Sequence, residues 1–239
     1  AFTAQKQFSA SAAHELRTPL AVMQTNLEVF ARKKTPTIEE YQDIFEMIQN
    51  QTERLSHLSE VLLDMTGIQS VERSDSISLA QLTDEVCCDL ASIADQKKVE
   101  LIQEEGDCTV TGSYLLLYRA VYNLVENAIK YNHSGGKVTV KISQTKALPA
   151  AHSKPADYAL VEVTDTGIGI SPEYQEKIFA PFFRVDKSRS RAMGGAGLGL
   201  ALVAEIARQH GGQVKVLASS KKGSTIALML PINSPLIAI

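Results

Sequence analysis

His14 and Glu15, followed by Thr18 and Pro19, place a nucleophile, a carboxylate and a hydroxyl on one short stretch of chain. On a helix, residues four apart share a face, so His14 sits beside Thr18, and Glu15 lies about 100° round the axis. A neutral imidazole has one nitrogen lone pair free for attack. An adjacent carboxylate can orient the ring or accept its proton. Pro19 has no N–H to give and crowds the turn before it, so it is expected to bend the helix and loosen the backbone near His14. Read alone, the string His-Glu-Leu-Arg-Thr-Pro-Leu also fits a surface helix that happens to carry a histidine.

Three further groups suit a phosphate-bearing ligand. In the run NLVENAIKYN, Asn123, Asn127, Lys130 and Tyr131 recur at helical spacing and share one face, while Leu117, Val121, Leu124 and Ala128 make the opposite, core-facing one. Glu126 is expected on a different face from Asn123. An amide oxygen suits a hard cation such as Mg²⁺, a lysine gives phosphate a point charge, and a tyrosine gives an aromatic wall. The same face also fits a solvated polar surface. Asp165 ends a strand and opens a turn with Gly167 and Gly169, where the backbone can approach a flat ligand and the carboxylate can accept from an exocyclic amine such as that of adenine. That pattern alone fits many turns. Gly195, Gly197, Leu198 and Gly199 lead into another helix, a place where backbone N–H groups meet anions. Ahead of them, Phe179 offers an aromatic anchor, and Arg184, Lys187, Arg189 and Arg191 form a segment that reads either as a basic lid or as a solvated loop.

The elements that must position these groups follow from apolar spacing. Phe8, Ala12, Leu16, Leu20, Met23, Leu27 and Phe30 form one helical stripe, and Tyr41, Ile44, Ile48, Leu55, Leu58, Leu62 and Met65 a second, interrupted by Gln51. The short connection makes the two helices antiparallel neighbours. A lone pair of helices cannot hide both stripes, so pairing two copies into a four-helix bundle is expected. Residues 1–67 form this unit. Residues 68–78 are polar, lack a helical period and read as a linker. Residues 79–232 alternate helices and short strands, giving an α+β fold with an α/β-sandwich second domain. Residues 146–157 carry two prolines and read as a surface loop, and residues 233–239 form a tail.

With 239 residues and 44% hydrophobic content, the chain has room for one large or two small domains. The net charge of −3 argues against nucleic acid as a partner. Cys87, Cys88 and Cys108 form no CxxC pair and fit a reducing compartment. No apolar run approaches the roughly 20 residues that cross a bilayer. The first turn is already helical in pattern, so the chain is expected to be the soluble part of something longer.

The His14 string resembles the phosphoacceptor box of bacterial two-component sensor histidine kinases. The later pieces, in order and spacing, resemble the asparagine, glycine and phenylalanine boxes of the GHKL ATP-binding fold; together the resemblance covers residues 8–231. It implies that His14 accepts the γ-phosphoryl of ATP, that Glu15 assists as base or orienter, and that Thr18 positions water for dephosphorylating the partner regulator. It implies that Asn127 holds Mg²⁺, with Asn123 and Lys130 near the metal and phosphates, Tyr131 packing on adenine and Asp165 accepting the adenine amine. Gly167, Gly169, Gly195, Gly197 and Gly199 would shape the pocket and its lid. The implied partners are a second copy of the chain through the hairpin and the receiver domain of a response regulator, docking near residues 22–26. The implied location is the cytoplasmic side of a bacterial membrane sensor, with the membrane reached through a preceding sensor region. Three other readings stand beside this one: a GHKL ATPase, which needs a glutamate base where Asn123 stands, a signalling scaffold gated by ATP, and a protein serine kinase on the same pocket, which would not need the His14 string.

Overall fold

The computed structural model describes residues 2–68, 71–147, 156–185 and 197–232. Helices α1 (Phe2–Ala31) and α2 (Ile38–Gly67) pack side by side as a hairpin. A reciprocal cap closes its turn: the Glu40 N–H donates to the Thr37 hydroxyl at 3.3 Å, and the Thr37 N–H donates to the Glu40 carboxylate at 3.0 Å. Lys33 pairs with Glu40, and the Phe30 and Tyr41 rings meet edge to face at 5.0 Å. The α-helix continues through Pro19, which is buried. The Thr18 hydroxyl donates back to the His14 carbonyl at 3.0 Å, one turn below.

The apolar side chains of the hairpin divide between two destinations. Leu58, Val61 and Ile68 are buried in the main core, with Phe8, Leu16, Leu62 and Met65 packed against it. Leu20, Val22, Leu27 and Val29 of α1, and Ile38, Tyr41, Phe45 and Leu63 of α2, remain exposed on the single chain.

Behind the hairpin stands a two-layer body. A five-stranded sheet runs in the order β2 (Glu100–Gln103), β4 (Lys137–Ala147), β5 (Ala156–Asp165), β7 (Gly223–Pro231), β6 (Gln213–Ser220). The β2–β4 pair is parallel and the others are antiparallel. Helices α3 (Leu79–Lys97), α4 (Tyr114–Lys130) and α5 (Gly199–Gln209) form the other layer. The face of α4 carrying Leu117, Val121, Leu124 and Ala128 is buried, as its spacing requires, which leaves the asparagine face directed away from the core.

Ile68 and residues 71–78 are more built-in than their composition suggests. Ile68 is buried and accepts from Arg73 at 3.2 Å, and residues Asp75–Ser78 form strand β1, paired antiparallel with β3 (Thr109–Gly112). Only Ile77 of that strand is apolar and buried, so the polar sequence hides it. Strands β4 and β5 also run further than expected, to Ala147 and from Ala156. Residues 148–155 and the tail at 233–239 lie outside the described residues.

A buried histidine ties the last helix to this junction. His210 follows α5, its Nδ1 donates to the Ile206 carbonyl at 2.8 Å, and its Nε2 accepts from the Ser113 N–H at 3.0 Å. Both bonds require the neutral ring. Burial pushes its pKa below the ordinary value, with the Arg73 charge acting in the same direction. The unfolded chain therefore binds more protons as pH falls below about 6.5, and stability is lost on acidification. Urea melts from neutral pH downward should show a steeper fall in midpoint for the wild type than for His210→Asn, since other groups titrate alike in both.

Candidate active site

The helical layer and the sheet part at one end to leave a cavity of about 560 Å³, of ligand size. Its wall carries Asn123, Asn127, Lys130 and Tyr131 of α4, Asp165 at the end of β5, Gly169 just beyond it, Arg184, and Gly197, Leu198 and Gly199 at the start of α5. Four separate stretches of sequence thus converge, and the helical spacing of NLVENAIKYN is what turns its four polar side chains to one side. Gly167 lies with Thr166 and Ile168 beside a shallower adjoining cavity instead. Phe179 is half-buried and does not line the main cavity, where Ile178 and Phe183 stand in its place. Gly195, with Lys187, Arg189 and Arg191, lies outside the described residues.

Glu126 also lines the cavity, which corrects the expectation that it faces elsewhere. A three-residue step on a helix leaves the two side chains only about 60° apart, close enough to share one wall.

The glycines have steric reasons. Gly169 has φ +69°, and a Cβ there would overlap the Ser220 carbonyl. A Cβ at Gly199 would stand 2.5 Å from the Asn123 side-chain oxygen. Any larger residue at these positions fills or distorts the cavity wall.

The electrostatics suit one polar contact at one end and an anion at the other. Asp165 accepts from the Gly167 N–H at 2.7 Å and from Ser224, and burial raises its pKa from the ordinary value despite those bonds. Lys130 is lowered from its ordinary value, first by burial and then by the neighbouring charges of Lys97 and Arg184, while Glu126 opposes the shift. Cations crowded on a partly buried wall are stabilised by an arriving polyanion. Arg184 carries a further sign of an unfilled role: its buried Nε has no hydrogen-bond partner among the described residues.

A divalent ion fits the wall in one respect. The amide of Asn127 on that wall is the donor type for an ion that keeps its waters and leans on phosphates.

The hairpin reaches this wall directly. Glu15 accepts from Arg184 at 2.8 Å, and the Phe8 ring meets the Phe182 ring at 5.5 Å. Phe182 has φ +64°, a costly conformation for a bulky residue, and its N–H donates to the Gly197 carbonyl at 2.8 Å. His14 itself is exposed. Arg54 of α2, which the apolar stripe of that helix does not distinguish, also reaches Glu15, at 3.4 Å.

Two family models match the chain. One, described as the His Kinase A (phospho-acceptor) domain, covers residues 4–70. The other, described as histidine kinase-, DNA gyrase B- and HSP90-like ATPase, covers residues 112–234. The sensor histidine kinase RppB of Synechocystis sp. is 34% identical over 235 residues, spanning 96% of this chain and 50% of that protein. The chain thus spans about half the length of the curated relatives it matches. The histidine kinase AdeS of Acinetobacter baumannii has the same fold, with TM-score 0.68 at 22% identity over 92% of this chain and 98% of that one. So does histidine kinase ThkA, solved in complex with the response regulator protein TrrA, with TM-score 0.70 at 21% identity over 95% and 61%.

Proposed function

From the premise that this chain belongs to the sensor histidine kinases, we propose that it transfers the γ-phosphoryl group of ATP to His14 and passes it on to an aspartate of a response regulator. The observation that carries the reading is the Glu15–Arg184 ion pair, because it joins the neighbour of the phosphoacceptor to the wall of the nucleotide cavity. Support for the acceptor comes from ThkA, whose solved complex holds a response regulator protein.

The chain's own groups divide the work. Asp165 accepts from the adenine amine and Tyr131 packs beside the ring, while Lys130 and Arg184 meet the phosphates. Asn127 would hold Mg²⁺, which supplies charge neutralisation on the phosphate oxygens. A ring nitrogen of His14 forms the new P–N bond as the P–O bond to ADP breaks, and Glu15 takes the proton released by the imidazole. Thr18 would place water when the regulator is dephosphorylated. The exposed apolar side chains of α1 and α2 would pair with a second copy, and the surface near residues 22–26 would receive the regulator. Among the described residues no helix is long and apolar enough to cross a membrane. The chain is read as the cytoplasmic part of a membrane sensor. It is not read as a nucleic-acid binder.

A second reading has one observation in its favour. Glu126 on the cavity wall offers ATP hydrolysis a base. Incubation with γ-labelled ATP and Mg²⁺ separates the two. The kinase reading predicts protein-bound label that is lost in acid and kept in base, whereas free phosphate with no retained label supports the ATPase.

A further inference from the structure

Glu15 is the meeting point of two guanidinium groups. Its Oε2 accepts from Arg184 Nη2 at 2.8 Å and from Arg54 Nη2 at 3.4 Å. The arginine side chains are 6% and 12% exposed and the glutamate 22%, so the trio sits in a partly buried seam between the hairpin and the body. The two arginines differ in origin. Arg54 belongs to α2, the neighbouring helix of the same hairpin, and does not line the cavity. Arg184 lines the cavity, leaves its Nε unpartnered among the described residues, and bears on the charge of Lys130.

One carboxylate facing two cations leaves an uneven arrangement. A triphosphate entering the cavity offers Arg184 a stronger and bidentate partner than the oxygen it shares with Arg54. As Arg184 turns to the nucleotide, Glu15 loses its shorter bond. An untethered glutamate then samples several rotamers, and few of them lie against the ring of the preceding residue. Arg54 is the contact that does not depend on the nucleotide. We propose that Arg54 is a positioning residue for phosphoryl transfer: it holds the Glu15 carboxylate at the hairpin when Arg184 is drawn to the phosphates. The assignment rests on the kinase reading above, and Arg54 does not line the cavity.

The test uses the whole chain. Autophosphorylation rate against ATP concentration, and affinity for a non-hydrolysable ATP analogue, are measured for wild type, Arg54→Ala, Arg54→Lys, Glu15→Ala and the double variant. Arg54→Ala should lower the rate at saturating ATP by about tenfold while analogue affinity and KM hold. Arg54→Lys should recover part of that loss, because it keeps a positive charge without the fork. In the Glu15→Ala background, removing Arg54 should change the rate by no more than about twofold. An equal drop with and without Glu15, a loss appearing in analogue affinity instead of rate, or an unchanged Arg54→Ala would each overturn the assignment. If Arg54→Ala does not fold, as read from its circular dichroism, Arg54→Lys is compared with Arg54→Gln. A faster lysine variant supports the positioning role and equal rates reject it. A wild type that takes no acid-labile label brings down the kinase reading itself. A labelled wild type with an indifferent Arg54 brings down only this assignment.

Discussion

His14→Ala should bind ATP as the wild type does and take up no acid-labile label. The ring is exposed on α1 and does not line the nucleotide cavity, so its removal leaves the binding wall intact. It also leaves no cavity in the core, so the melting temperature should stay within a few degrees of wild type, as for other surface substitutions of about ±0.5 kcal/mol. What disappears is the imidazole, whose nitrogen lone pair forms the P–N bond; Glu15 and Thr18 give acyl phosphate or phosphoester instead. The loss is therefore complete. A His14→Ala chain that still carries acid-labile label would place the acceptor elsewhere. Label that is acid-stable would point to a hydroxyl.

Asn127→Ala should have the second largest effect. Its amide stands on the cavity wall among Asn123, Lys130 and Gly199, on a face of α4 turned away from the core. Removing one group that organises charge at the transferring phosphoryl costs on the order of a hundred- to a thousandfold in rate. Because the same side chain is proposed to hold Mg²⁺, the residual rate should need a higher Mg²⁺ concentration to saturate. Alanine is a better helix former than asparagine, so the fold should not suffer. Asn127→Ala with full activity at ordinary Mg²⁺ would remove the metal assignment.

Much of this architecture is legible in the sequence because it depends on local periodicity. The asparagine face of α4, the strand ending at Asp165 and Gly169 just beyond it are each set by spacing within one stretch, and the structure brings them to one cavity. What is not legible depends on contacts between distant residues. Glu15 is 169 positions from Arg184 and 39 from Arg54, and no periodicity reports such a pair. Strand β1 escapes notice because one buried isoleucine in a polar tetrapeptide gives no alternation to read. Phe182, not Phe179, meets the hairpin, through a backbone conformation that sequence preference argues against. The apolar stripes predict helices correctly but not which part of each stripe meets the body, since Leu16 and Leu58 pack there while Leu20, Leu27 and Tyr41 stay exposed.

The central claim is that a ring nitrogen of His14 takes the phosphoryl group from a nucleotide held between α4 and the Asp165 turn. Peptide mapping by mass spectrometry at neutral to basic pH, after incubation with MgATP, tests it most directly. One added phosphate is expected on the peptide containing His14, lost on mild acid treatment. A phosphate found on any other residue, with the His14 peptide unmodified, would contradict it.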